Sequence, residues 1–133
     1  MTTVIEEQIK DKELFDLLLE LHQLGIYFYS DFLAIHRIFA NLIGRDLEEL
    51  KSKSRKAELV SDRQIYIELL YFGTKATTIV IGDLLSGRCH STIHSARKAF
   101  VNDVNYNAEY REKVVSIFRV AVDVLTERRK WTN

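Results

Sequence analysis

The chain of 133 residues has no proline, and its only glycines stand at positions 25, 44, 73, 82 and 87. Proline is the strongest local breaker of helices, and with glycine it marks most turns. A chain without it that is also poor in glycine is expected to be largely helical. Four of the glycines fall between apolar runs of helical period and read as helix stops. Gly82 lies inside a run instead, where a missing side chain permits close helix packing.

The apolar spacing divides the chain further. Over 4–24, Leu14, Leu17, Leu18, Leu21 and Leu24 recur at helical intervals. After the aromatic stretch "IYFY", Ser30 is a plausible N-cap, and Ile35, Ile38, Phe39 and Leu42 give one apolar stripe. Asp46 can cap a short helix through Leu47 and Leu50 that runs into "KSKSRK", residues 51–56. Asp62 or Ser61 is expected to cap "RQIYIELLYFG". Thr77 caps a short "TIVIGDLL", "SGRC" turns, and a further helix runs from about Ser91 to Val104. A long last helix over 107–129 buries Val114, Phe118, Ala121, Val122 and Leu125. Strand readings compete at "IYFYS" and "TTIVI", but each is short and has no partner strand. The expected fold is an all-α multi-helix domain with an extra N-terminal helix and a long C-terminal helix.

Length and composition bound the function. With 47% hydrophobic and 29% charged residues, the chain suits one globular domain with a real core. No apolar run approaches the ~20 residues that span a bilayer, so no membrane partner is expected. The acidic start "MTTVIEEQIKDKELF" lacks the apolar core of a secretory signal. A single cysteine excludes an internal disulfide framework, and a reducing cytoplasm is the expected compartment. Net charge is zero, but residues 1–25 hold six acids against two bases, so the other 108 residues carry +4. An acidic helical segment over 1–28 and a mildly basic domain over 29–133 follow.

The stretch "GRCHSTIHSARK", residues 87–98, poses the functional question. Cys89 beside His90 could be a nucleophile pair or two metal ligands. Neighbours on a turn point in different directions, however, and no second cysteine completes a zinc set. No catalytic residue, metal site or cofactor is assigned. The other reading takes "TTIVIGDLL–SGRC–HSTIHSARKAF" as short helix, glycine turn and second helix, the pattern of a helix-turn-helix. Ile93, Ala96, Phe100 and Val104 then pack inward. His90, Ser91, Thr92, Ser95 and Lys98 face solvent at the end that a recognition helix pushes into a major groove.

At these residues the sequence resembles the C-terminal DNA-binding domain of the bacterial replication initiator DnaA. That family's signature, approximately GGRDHTTV, stands here as "SGRCHSTI", residues 86–93. "GRDLEELKSKSRK", residues 44–56, resembles its glycine-led helix and basic loop, and "RQIYIELL", residues 63–70, its RQ-led helix. The resemblance runs from about Ser30 to Phe100. It implies that His90, Ser91 and Thr92 meet DNA in the major groove and that Arg55 enters the adjacent minor groove. Lys53 and Lys56 would touch phosphates on either side of it. With Lys51, Thr78, Ile79, Arg88, Cys89, Ser95 and Lys98, these form the candidate DNA-binding set.

Three departures accompany the match. The family's aspartate before the histidine is Cys89, its proline near the start of the scaffold helix, the first of the two, is Ile79, and its later histidine falls on Ser95. A thiol does not accept from a cytosine amine as a carboxylate does, so the family's usual box is not carried over. No G-x-x-x-x-G-K-[ST] loop occurs, so the family's nucleotide-binding motor is absent from these residues and a free-standing reader of bacterial or phage origin is expected.

Two functions remain open at this stage. One is a sequence-preferring double-stranded DNA-binding protein, a regulator or replication accessory factor. The alternative is an interaction module that keeps the fold, contacts replication proteins and does not read DNA. The leucines of 14–24 likewise fit either a helix folded back on the domain or a seam for a homodimer. Arg128, Arg129 and Lys130 suit the C-terminal dipole of the last helix.

Overall fold

The structure is a computed structural model that describes residues 8–25 and 29–130. Among these residues all regular structure is helical, in seven helices. They are α1 (Lys12–Leu24), α2 (Tyr29–Ile43), α3 (Leu47–Lys51), α4 (Ala57–Gly73), α5 (Thr78–Leu84), α6 (His90–Tyr106) and α7 (Ala108–Lys130). Residues 77–81, the second strand alternative, are the cap and first turn of α5. Residues 26–28 of the first alternative lie outside the described residues, and α2 already includes Ser30, which is therefore not its cap.

Helix α4 is the centre of the domain. Every residue from Gln64 to Leu70 is buried, and α1, α2, α3, α5, α6 and α7 all pack on it. A helix apolar on every side has no face to give to water and must be surrounded. Asp62 does not cap it, because α4 begins five residues earlier at Ala57. Instead the buried Asp62 carboxylate accepts from Arg45 Nε at 2.6 Å and Lys113 Nζ at 2.7 Å. That bond holds the Arg45 guanidinium above its ordinary value. A carboxylate this deep is stable only when paired.

Helix α1 lies along α7, and its Leu14, Leu18 and Leu21 are buried in the same core as Phe118, Ala121 and Leu125. The leucine row is thus turned into the chain itself, and Leu14 and Leu21 are not on offer to a second copy. At the far end of this pair, Asp31 is fully buried and receives Arg128 Nε at 3.0 Å and both terminal nitrogens of Arg129. Arg129 Nε also donates to the Leu24 carbonyl at 2.8 Å. These arginines therefore tie α7 to α1 and α2 rather than only complementing a helix dipole. The apolar stripe of α2 holds for Ile35, Ile38 and Phe39, but Leu42, in the last turn of the helix, is about half exposed at 49%.

Candidate nucleic-acid interface

Helices α5 and α6 are joined by a turn that local chemistry dictates. Thr77 Oγ1 accepts from the Val80 amide at 3.2 Å and opens α5. Ser86 and Gly87 then take left-handed backbone angles, φ 63° and 73°, which reverse the chain before Arg88. The Arg88 amide donates back to the Gly82 carbonyl at 2.9 Å. A Cβ on Gly82 would stand 2.0 Å from the Arg88 carbonyl oxygen, so the close packing expected there is that of α5 on the turn.

In α6, Ile93, Phe100 and Val104 are buried, and Ala96 is half-buried. Arg97, which the apolar pattern passes over, is also buried: its Nε donates to Glu68 at 2.9 Å and its guanidinium lies 3.6 Å from the centre of the Tyr71 ring. His90, Ser91, Thr92, Ser95 and Lys98 are all exposed. Ser91, Ser95 and Lys98 follow one another along the side of α6 opposite Ile93 and Phe100. Ile79 is 64% exposed at the start of α5, beside half-buried Thr78.

Cys89 is the N-cap of α6, and its thiol is exposed. Ser91 Oγ stands 3.1 Å and Thr92 Oγ1 3.2 Å from its Sγ. Hydrogen bonds from Ser91 and Thr92 favour the thiolate and push the thiol down to about 7. The group that replaces the signature aspartate is thus a partly ionised sulfur near neutral pH.

The basic stretch is built from both ends. Asp46 and Glu49 form a capping box that opens α3, and Leu50 is fully buried beneath it. Residues 52–55 then form a loop, after which Lys56 is the N-cap of α4. Lys53, Arg55 and Lys56 are exposed, Lys51 is half-buried, and none of the four makes an ion pair among the described residues.

Arg88 belongs to this loop rather than to the exposed set. Its guanidinium turns inward and donates to the carbonyls of Ser52 at 2.6 Å, Lys51 at 3.3 Å and Leu85 at 2.6 Å. Arg63, not singled out from the sequence, donates to the carbonyls of Leu50 at 2.8 Å and Ser52 at 3.0 Å. Burial pushes both guanidiniums below the usual arginine range. The only sequence signal for Arg63 is its place at the head of the RQ-led block. These bonds set the basic loop directly beside the turn that opens α6.

Among the described residues no group of three His, Cys, Asp or Glu side chains is placed to hold a metal ion. No described helix is long and apolar enough to cross a membrane.

Residues 33–99 match the family described as bacterial dnaA protein helix-turn-helix. The chain is 35% identical over 81 residues to the chromosomal replication initiator protein DnaA of Porphyromonas gingivalis, covering 61% of this chain and 16% of that protein. It is 30% identical over 84 residues to the corresponding protein of Chloroflexus aggregans, covering 63% of this chain and 18% of the relative. The similarity therefore spans less than a fifth of these relatives. No solved structure matches the chain significantly.

Proposed function

The chain belongs to the bacterial dnaA helix-turn-helix family, and from that premise we propose that it binds double-stranded DNA with a sequence preference. The observation that carries the reading is the adjacency of two exposed elements, the N-terminal end of α6 and the basic loop. Arg88 bonds the loop carbonyls immediately before that helix begins.

In this reading α6 enters the major groove, where Ser91, Thr92 and Ser95 offer hydroxyls and His90 a ring nitrogen to base edges. Arg55 enters the neighbouring minor groove, where a guanidinium senses groove width and negative potential. Lys53, Lys56 and Lys98 meet phosphates and fix register without reading sequence. Ile79 and Thr78 lie where an apolar contact with a thymine methyl is available. A thiolate at Cys89 can accept from a cytosine amine, as the neutral thiol does poorly. The role in the cell is control of replication or of transcription from the sites bound.

Selection from random duplex DNA at about 0.15 M salt, followed by sequencing of the retained fraction, tests this. An enriched motif is the expected result. If no duplex is retained and a replication protein is captured instead, the chain is the interaction module that its zero net charge also allows.

A further inference from the structure

We propose that Arg63 and Arg88 are positioning residues that hold the basic loop in register with the start of α6, so that the contacts in the two grooves are made by one rigid unit. This rests on the DNA-reading function proposed above and goes beyond it, because neither guanidinium is then a reader. Both act through the backbone that carries Arg55.

The loop has little of its own to hold it. Its internal bonds are those of Ser52 to the Glu49 carbonyl, at 3.2 Å from the amide and 2.7 Å from Oγ, and a long 3.4 Å contact from the Lys56 amide to Ser54 Oγ. Arginine side chains do the rest. Arg63, on α4, takes the carbonyls of Leu50 and Ser52 and reaches Ser54 at 3.5 Å. Arg88, on the turn, takes those of Lys51 and Ser52. The Ser52 carbonyl is shared between them. Hydrogen bonds from an ionised donor are among the stronger ones, and they fix direction as well as distance.

Arg88 is bonded on two sides at once. Its amide and its guanidinium also hold Gly82 and Leu85 at the end of α5. One residue thus links the turn that aims α6 to the loop that carries Arg55. The planar fork of a guanidinium can bridge carbonyls from separate segments, whereas the single ammonium of lysine cannot hold the same geometry. The two cations repel each other, since Arg88 lowers the proton affinity of Arg63, and the ring of carbonyls offsets that repulsion.

The test uses the full chain and variants Arg88→Lys and Arg63→Lys, which keep the charge. The second carries the test if the first does not fold, as judged by thermal unfolding. Binding is measured on a duplex carrying the motif selected by the unaltered protein and on a scrambled duplex. Both variants are expected to bind the scrambled duplex as before, with an unchanged salt slope, and to lose roughly tenfold in preference for the motif. The penalty of Arg55→Ala should shrink in either lysine background, which general destabilisation would not produce.

Full preference with an undiminished Arg55→Ala penalty would overturn the positioning role and leave the DNA reader standing. A uniform loss of affinity on both duplexes, with the preference for the motif kept, would also overturn it, by making the arginine a phosphate contact. A parent protein that selects no motif would overturn both proposals.

Discussion

The two ends of this molecule treat their cations in opposite ways. The strong bases of α1 and α7 themselves each find an acid: Arg128 and Arg129 share Asp31, Arg119 meets Glu13, Arg111 meets Asp11, Lys12 meets Asp16, and Lys130 meets Glu127. Around α4, Arg45 and Lys113 share Asp62. On the side of the turn and the basic loop, Lys53, Arg55, Lys56 and Lys98 make no ion pair among the described residues, and Arg63 and Arg88 bond only carbonyls. A chain of zero net charge can therefore leave a cluster of unpaired cations on one side, although exposed Glu48 and Asp83 also lie on α3 and α5. Charge averaged over a sequence says little about a surface when the pairing is so uneven.

The comparison makes separable demands on stability and on binding. The largest effect is expected at Asp31→Asn. Removing the charge between two partly buried arginines should lower unfolding stability by about 3 kcal/mol in a denaturant titration. Affinity for DNA, measured well below the melting temperature, should barely change. Next is Arg55→Ala, the mirror case: a loss of about 1–3 kcal/mol in binding with stability within about 0.5 kcal/mol of the parent. If Asn at 31 weakened binding at constant fold, or Ala at 55 unfolded the chain, the separation of the two ends would fail.

Smaller still is Ser86→Gly. Ser86 holds φ 63°, a left-handed angle where the family signature has glycine, so the substitution should raise stability by up to about 1 kcal/mol in thermal unfolding. The last prediction concerns rate rather than energy. Because Ser91 and Thr92 lower the thiol at Cys89 to about 7, alkylation by iodoacetamide should rise with a midpoint near that pH. The linked stabilisation has the depressed-acid sign: present above the ordinary thiol value, and lost as pH falls through about 7. Bound duplex should slow the alkylation. A midpoint in the ordinary thiol range would remove the thiolate from the reading surface.

What could be read from the sequence was local. The caps at Asp46 and Thr77, the turn at Ser86–Gly87 and the buried faces of α6 and α7 each depend on residues a few positions apart. The readings that fell short are tertiary. Asp62 resembles a cap until Arg45 and Lys113 arrive from other elements, and the true start of α4 has no side-chain cap to announce it. Arg97 breaks the apolar pattern of α6 because its partner, Glu68, sits 29 residues earlier on α4. The inward turn of Arg88 was least legible of all. Its Lys51 and Ser52 acceptors are backbone carbonyls 37 and 36 positions away, and a carbonyl leaves no mark in a sequence. The exposure of His90 to Thr92 followed from the spacing of α6, whereas the minor-groove role expected of Arg55 came from the resemblance alone.

The most direct test of the two-sided account is a titration of the labelled protein with its selected duplex, following backbone amide chemical shifts. The account predicts large shifts over residues 51–56, 77–79 and 86–98, with α1 and the outer face of α7 unmoved. Shifts centred on α1 and α7, with the basic loop silent, would contradict it.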